Sequence, residues 1–330
     1  MKQRNGMVRR RMRDSILLVL LIAVCGLAGA LGARVFLLHD EPSQPKPRAA
    51  TSRAAKRTAK PTPTTEQTTA TTRTTASAPA VATPQVIEDP RPLEQTLALR
   101  FTDAPVPTHE WRLASGSMPV VGVVIVLHGG SWFGVGADRL RTMDAEVQRW
   151  NDRGWATLNT TYRPGRDSIT DVVRIYDSIR RWQDSSIPIG VVGASAGGHL
   201  AMMLGVLRSD VAFIEAEAGP TDIPGLEGTT EADSVRTAGT RAFGSEAGVS
   251  MSPLANAERI VAPLLMVATE DDAYVPIDQM QRMVMARPTT QSLTLDAGDI
   301  PWVHSPISAD ALRILTNAED DLARSVVPHH

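Results

Sequence analysis

The sequence is poor in cysteine, in aromatic residues and, over most of its length, in basic side chains. Cys25 is the only cysteine among 330 residues. This excludes an intramolecular disulfide, a thiolate metal site and, in the region after the N-terminal segment, a cysteine nucleophile. Residues 91–330 carry 20 basic against 30 acidic side chains. An acidic balance of this kind argues against nucleic acid as a partner.

The first ninety residues have the opposite balance, with 14 basic and 6 acidic side chains. Residues 1–14 form a basic segment, and residues 15–33 are apolar and uncharged. As a helix, that run spans ~28 Å, the thickness of the hydrocarbon core of a bilayer. We expect a cytoplasmic segment over residues 1–14 and a transmembrane signal-anchor over residues 15–38. A cleaved signal peptide is the alternative, because residues 28–32 contain small-residue cleavage sites.

Residues 39–90 are rich in threonine, proline and alanine and contain almost no large apolar side chain. Such a segment buries too little apolar surface to offset its chain entropy, so a disordered linker is predicted. The expected protein is a single-pass protein of the cell membrane, with residues 91–330 forming an extracytoplasmic domain. Cleavage of the N-terminal segment would make it a secreted protein.

Apolar β-branched runs alternate with helical patterns through residues 91–330, which is typical of a mainly parallel sheet covered by helices on both faces. The strands are predicted at residues 120–127, 155–161, 187–192, 211–216, 263–269 and 291–295, and the main helices at residues 138–153, 168–183 and 307–323. Ligands of parallel α/β sheets bind beyond the carboxyl ends of the strands. The residues that follow each strand are therefore the candidates for a functional site.

One of these candidates is Ser195, which stands in the sequence Gly193-Ala194-Ser195-Ala196-Gly197 between a predicted strand and a predicted helix. This is the G-x-S-x-G pattern of a nucleophile elbow, in which the serine hydroxyl projects from a tight turn and the glycines permit close approach of strand and helix. Ser195 is the predicted nucleophile.

A serine hydroxyl needs a histidine to accept its proton and a carboxylate to orient that histidine. In enzymes with this elbow, the acid follows the serine in the chain and the histidine comes last. Asp272 follows a predicted strand, and His304 lies in a loop after the last predicted strand. We predict Asp272 as the acid and His304 as the base. Asp271 is an alternative acid, and Asp222 is a more remote one.

The predicted oxyanion hole combines the backbone N–H of Ala196 with amides of the loop His128-Gly129-Gly130-Ser131-Trp132, which follows a predicted strand. Preorganised amides of this kind stabilise the tetrahedral intermediate of acyl transfer. Gly130, Ser131 or both supply the second donor. His128 is interpreted as a structural residue of the loop.

Together these motifs resemble the α/β-hydrolase superfamily, and within it the small esterase and lipase branch with an H-G-G-x-W oxyanion loop. That branch contains carboxylesterases related to hormone-sensitive lipase, acetyl-xylan and feruloyl esterase-like enzymes, and kynurenine formamidases. The resemblance covers most of residues 118–315 and includes N-T-T-Y-R-P at 159–164, G-P-T-D at 219–222 and S-P-L at 252–254. The chain departs from the pattern at Ser131, where many relatives have glycine, and at Pro301 and Trp302, which are bulkier than usual.

The resulting hypothesis is an extracytoplasmic serine hydrolase that cleaves carboxylic esters through an acyl-enzyme and requires no metal or organic cofactor. Its expected substrate is a small-molecule or glycan-linked ester, with Trp132, Asp222 and Trp302 as candidate pocket residues. The short, polar stretch at residues 225–249 favours small or moderate acyl groups. An amide or formamide hydrolase and an envelope acyltransferase share the same triad and stay open, and a non-catalytic binding module is the alternative of a different class.

Overall fold

Short apolar runs of the chain form the strands of a central sheet in the computed structural model, which describes residues 91–114, 120–182, 187–296 and 308–326. The strands in these ranges are β1 (His109–Arg112), β2 (Gly122–Leu127), β3 (Trp155–Thr160), β4 (Ile189–Ala194), β5 (Ile214–Glu217), β6 (Leu264–Thr269) and β7 (Gln291–Leu295). They lie in the order β1-β3-β2-β4-β5-β6-β7. Strand β1 is antiparallel to β3, and every other neighbouring pair is parallel. The predicted mainly parallel α/β sheet is confirmed.

Helices cover both faces of the sheet. The helices within the described residues are α1 (Arg91–Arg100), α2 (Asp144–Asp152), α3 (Asp167–Trp182), α4 (Ala196–Leu207), α5 (Thr230–Phe243), α6 (Asp278–Ala286) and α7 (Ala309–Arg324). Shorter 3₁₀ helices span Ala137–Met143, Ile223–Gly225, Gly244–Gly248 and Leu254–Arg259. Helices α1, α3 and α4 pack on one face, and α2 and α7 pack on the other.

The alternation of side chains along each strand divides the core into two layers. In β2, Val123, Ile125 and Leu127 join the core under α3 and α4. Val124 and Val126 join the core under α2 and α7. Both sets are fully buried, which explains why β2 reads as an unbroken apolar run rather than an alternating one.

Several predicted boundaries differ from the structure. The helix expected at residues 138–153 is divided into a 3₁₀ helix, Ala137–Met143, and helix α2. The elements β1, α1, α5 and α6 were not predicted. Strand β1 has only partly buried or exposed residues and lies at the sheet edge, so it lacks the apolar run that identifies the inner strands. The strand predicted at residues 291–295 is found with those bounds as β7.

The predictions for the N-terminal part of the chain lie outside the described residues. These are the basic segment at residues 1–14, the membrane segment at 15–38 with Cys25, and the linker at 39–90. Within the part of the chain that the structure describes, no helix has the length and apolar character needed to cross a bilayer.

A cluster of ionisable side chains is buried between the sheet and helices α2 and α7. Its members are Glu146 and Arg149 on α2, Arg153 directly after α2, Glu215 and Glu217 on β5, and Glu319 on α7. Arg149 pairs with Glu319 at 2.6 Å and with Glu217 at 3.0 Å, and Arg153 pairs with Glu319 at 2.9 Å. Trp150 donates a 3.1 Å hydrogen bond to Glu215.

The four carboxyl groups of this cluster outnumber its two arginines, and burial disfavours the charged forms. Burial raises the pKa of Glu217 from its ordinary value of 4.5 to about 8, assisted by the nearby carboxyl groups of Glu146 and Glu319. Burial likewise raises the pKa of Glu215 well above its ordinary value. The cluster therefore holds protons at pH values where surface glutamates are ionised.

We expect the protein to lose stability as pH rises from 4.5 to about 8, the window set by Glu217. In this window the folded state keeps a proton that the unfolded chain releases, so the free energy of unfolding falls with pH. Glu217→Gln removes this titration but keeps an oxygen that can accept from Arg149. The measurement is urea unfolding of the variant and of the unmodified protein at several pH values. The decrease in the free energy of unfolding per pH unit should be smaller in the variant by up to about 1.4 kcal/mol.

The exposed residue Glu258 provides the matched control, because Glu258→Gln removes the same formal charge from the surface. Its pH slope should equal that of the unmodified protein. A Glu217→Gln variant that kept the full slope would show that Glu217 is ionised in the folded state throughout this window.

Candidate active site

Ser195 occupies a strained turn between strand β4 and helix α4. Its backbone has φ 53° and ψ −118°, a conformation that residues other than glycine rarely adopt. The turn is held by two backbone hydrogen bonds: the N–H of Ser195 donates to the carbonyl of Glu217 at 2.8 Å, and its carbonyl accepts from the N–H of His199 at 3.0 Å. This is the geometry expected of a nucleophile elbow.

The glycines of the elbow are required by close contacts between backbone segments. A Cβ on Gly197 would overlap the carbonyl oxygen of Leu127 at the end of β2, and a Cβ on Gly193 would overlap the carbonyl oxygen of Gly197. Strand β2, the elbow and helix α4 therefore approach each other more closely than any side chain would permit.

The loop after β2 passes directly beside Ser195. A Cβ built on Gly129 would lie 3.2 Å from the Cβ of Ser195 and 3.8 Å from its Oγ. The next three residues, Gly130, Ser131 and Trp132, all have positive φ values of 123°, 51° and 61°. This unusual run of backbone angles turns the peptide groups of the loop, as an oxyanion loop requires.

The three amides predicted as oxyanion donors have no hydrogen-bond acceptor among the described residues. Within the described residues, the backbone N–H groups of Gly130, Ser131 and Ala196 do not donate a hydrogen bond to any carbonyl oxygen of a turn, loop or helix cap. Two later amides of the loop, those of Phe133 and Gly134, donate to the carbonyl oxygen of Gly130 at 3.0 and 2.8 Å. The loop thus uses its later amides to fix its own shape.

His128 supports the oxyanion loop from inside the protein. Its Nδ1 donates to the carbonyl of Gly129 at 2.6 Å, and its ring stacks on Tyr162 with 4.5 Å between centroids. The Tyr162 hydroxyl donates to the His128 carbonyl at 2.8 Å. Burial lowers the pKa of His128, so the ring is neutral at ordinary pH. This placement agrees with the structural role expected from the sequence.

Trp132 requires a correction, because it does not line an open pocket as expected but is fully buried. Its Nε1 donates to Nδ1 of His199 at 3.3 Å, and the other ring nitrogen of His199 donates to the carbonyl of Met251 at 2.9 Å. Burial lowers the pKa of His199 to about 4, which keeps the ring neutral with its proton on Nε2. This link from the oxyanion loop to helix α4 was not predicted.

Asp272 follows strand β6 and is nearly buried. Its Oδ1 accepts from the backbone N–H groups of Tyr274 and Val275 at 2.8 and 3.0 Å. Its Oδ2 is buried and has no hydrogen-bond partner among the described residues. Burial raises the pKa of Asp272, while the two N–H donors act in the opposite direction. The neighbouring alternative, Asp271, is exposed.

Ser195 and Asp272 lie at the same edge of the sheet. Strands β4, β5 and β6 are parallel neighbours, and both residues follow the carboxyl ends of their strands with β5 between them. The predicted base His304 and the predicted pocket residue Trp302 lie outside the described residues, so their placement stays a prediction.

Asp222, the second predicted pocket residue, is half-buried and pairs with another side chain, and its role in a pocket stays a prediction. Its Oδ2 forms a 2.5 Å ion pair with Arg282 on helix α6, and its backbone N–H donates to Oε1 of Gln279 at 2.9 Å. The hydroxyl of Thr221 donates to the carbonyl of Gln279 at 2.8 Å. Asp222 thus joins the turn after β5 to helix α6, and its carboxylate is neutralised by a structural partner.

No group of three or more histidine, cysteine, aspartate or glutamate side chains within the described ranges is arranged to hold a metal ion. At the Ser195 edge, the described residues provide a hydroxyl, a buried carboxylate and backbone amides.

The sheet order, the elbow and the adjacent glycine loop define the class of protein as an α/β-hydrolase. Residues 113–286, more than half of the chain, match the family model BD-FAE, and the chain belongs to this family of α/β-hydrolase esterases. The enzyme class is that of the serine hydrolases of carboxylic esters. No curated protein matched the sequence.

Solved structures with a similar fold include a truncated carbohydrate esterase from gut microbiota, with 16% identity and a TM-score of 0.51 over 66% of this chain and 91% of that one. The esterase EstE5 has 16% identity and a TM-score of 0.56, covering 77% of this chain and 95% of its own. A puromycin-hydrolysing peptidase of Mycobacterium tuberculosis has 18% identity and a TM-score of 0.58, covering 70% of this chain but 39% of the peptidase. At these identities the similarity establishes the fold.

Proposed function

We propose that this esterase cleaves its substrate through an acyl-enzyme formed on Ser195, with His304 as general base and Asp272 as the acid that orients it. One observation carries the proposal: Ser195 is held at φ 53° beside a loop whose amides at Gly130 and Ser131 have no acceptor among the described residues. A strained serine facing unused N–H groups is the arrangement that acyl transfer requires.

In the proposed mechanism, His304 accepts the hydroxyl proton as Oγ of Ser195 attacks the ester carbonyl. The carbonyl oxygen becomes an oxyanion, and the N–H groups of Ala196 and of Gly130 or Ser131 stabilise it. Each such donor typically contributes ~3 kcal/mol to the transition state. His304 then returns its proton to the leaving alcohol. Water attacks the acyl-enzyme as His304 accepts its proton, and that proton passes to Oγ of Ser195 as the acyl–Oγ bond breaks and the carboxylic acid leaves.

Asp272 is suited to orient the base because its two carboxylate oxygens differ in their hydrogen bonds. Oδ1 is fixed by two backbone N–H groups, which set the orientation of the carboxylate. Oδ2 is buried and lacks a partner among the described residues. A buried acceptor without a partner is costly, and an imidazolium N–H would remove that cost.

The proposed substrate is a small-molecule or glycan-linked ester. The similarity of fold to a carbohydrate esterase supports a glycan-linked ester. The proposed location is the extracytoplasmic side of the cell membrane, with the domain tethered through residues 15–38. This location rests on the basic segment before that apolar run and on the low-complexity composition of residues 39–90.

Labelling with a fluorophosphonate tests the nucleophile, because this reagent phosphonylates only activated serines. We expect one equivalent of label on the full-length chain, located on Ser195 by peptide mass spectrometry, and parallel loss of 4-nitrophenyl acetate hydrolysis. An acyl-anilide measured alongside separates an esterase from an amide hydrolase. Label on another serine, or ester hydrolysis that continues after complete labelling of Ser195, would overturn the proposal.

A further inference from the structure

Two arginines beside the oxyanion loop lack a carboxylate partner, although the domain has a surplus of acidic residues. Arg163 pairs with Asp171 at 2.7 Å, and Arg166 pairs with Glu246 at 2.8 Å. The side chains of Arg139 and Arg241, in contrast, form no ion pair or hydrogen bond within the described residues. Asp138 lies next to Arg139 in the chain but is exposed and does not pair with it.

Arg139 lies against the oxyanion loop itself. Its Nη2 is 3.3 Å from the position that a Cβ on Gly134 would occupy, and that same position is 3.2 Å from the carbonyl oxygen of Gly130. Arg139 is half-buried. Its guanidinium is therefore partly removed from water, close to a residue that we propose as an oxyanion donor.

Arg241 approaches the same loop from the end of helix α5. Its Cζ is 4.5 Å from the centroid of the Phe133 ring, which is the distance of a cation–π contact. Phe133 and Gly134 are consecutive residues, so the two guanidinium groups contact adjacent positions of one short segment. This segment begins two residues after Ser131.

Arg241 is exposed and Arg139 is half-buried, so the free-energy cost of keeping a cation without a partner away from water applies to Arg139, and an incoming anion offsets that cost. The planar guanidinium group matches a carboxylate with two parallel hydrogen bonds. We propose that Arg139 and Arg241 form a carboxylate-binding subsite beside the oxyanion loop, so that the preferred substrates of this enzyme are esters that carry a carboxylate near the scissile bond. The proposal rests on the proposed function of Ser195.

The test compares pairs of esters in which an isopropyl group replaces the carboxylate at nearly equal size. Monoethyl succinate and ethyl 4-methylpentanoate place the charge on the acyl side, and 4-acetoxybenzoate and 4-isopropylphenyl acetate place it on the alcohol side. We expect kcat/KM to favour the anionic member of one pair by tenfold or more. The preferred pair identifies the side of the ester that carries the charge.

In the double variant Arg139→Gln/Arg241→Gln, that preference should fall to threefold or less, through a higher KM for the anionic ester. The readout is the ratio of kcat/KM for the anionic ester to kcat/KM for its neutral partner, which a general loss of activity would not change. Arg141→Gln is the control for Arg139→Gln, because Arg141 is exposed in the same 3₁₀ helix and each of these two single substitutions removes one positive charge. Raising the salt concentration should weaken the preference of the unmodified enzyme.

Equal kcat/KM for anionic and neutral esters in the unmodified enzyme would overturn the subsite, and so would a preference that the double variant retains. Failure of the proposed function would give a different result. Fluorophosphonate would then block the hydrolysis of no ester in either pair.

Discussion

Replacing Ser195 by alanine is expected to abolish ester hydrolysis and leave the protein folded. The loss in kcat/KM should be about 10⁴-fold or more, because the variant has no nucleophile to form the acyl-enzyme. Alanine retains the Cβ that lies beside Gly129, and the strained φ of 53° is already tolerated by a residue with a Cβ. The Oγ of Ser195 makes no hydrogen bond with the described residues, so the substitution removes no such contact.

The measurement is 4-nitrophenyl acetate hydrolysis together with the midpoint of thermal unfolding. Ser234→Ala is the control, because Ser234 is an exposed serine on helix α5 with only a local hydrogen bond to the carbonyl of Glu231. It should keep full activity and full labelling by fluorophosphonate. If Ser195→Ala kept a tenth of the activity, Ser195 could not be the nucleophile.

The sequence was sufficient to locate the inner strands and the carboxyl ends of the two strands that Ser195 and Asp272 follow. Buried parallel strands are apolar on both faces, so they stand out as short runs such as β2 and β6. Helix α5 was missed because the segment that contains it is polar and only one face of the helix is buried. The sequence nevertheless contains the signals that start this helix. The side chain of Thr229 accepts a hydrogen bond from the N–H of Ala232, and acidic residues occupy the first turn.

The contacts of Trp132 and Asp222 show what sequence patterns leave open. An indole in a glycine loop suits a pocket wall and a core equally well, and the contact with His199, 67 residues away in the chain, places Trp132 in the core. Asp222 follows a strand, as a catalytic or binding carboxylate would. Its ion pair with Arg282 depends on the position of helix α6, which no local pattern specified. In both cases the partner of the side chain is distant in sequence.

Replacing Asp272 by asparagine is expected to lower kcat by about 10³- to 10⁴-fold. Asparagine keeps an oxygen that accepts from the N–H groups of Tyr274 and Val275, so the turn after β6 should be preserved. Its amide nitrogen replaces Oδ2 and presents a donor where the proposed base, His304, would need an acceptor. The imidazole then favours the tautomer with its proton toward Ser195, and in that form it cannot accept the serine proton.

Asp271→Asn is the matched control, since Asp271 is the adjacent carboxylate but is exposed to solvent. Both variants should unfold at nearly the same temperature as the unmodified protein, and the kcat of Asp271→Asn should change by less than twofold. The two variants differ only in which carboxylate is lost. A large decrease in kcat in Asp271→Asn alone would show that Asp271 is the acid. A collapse confined to Asp272→Asn would instead connect the buried, partnerless Oδ2 directly to the proton transfer at Ser195.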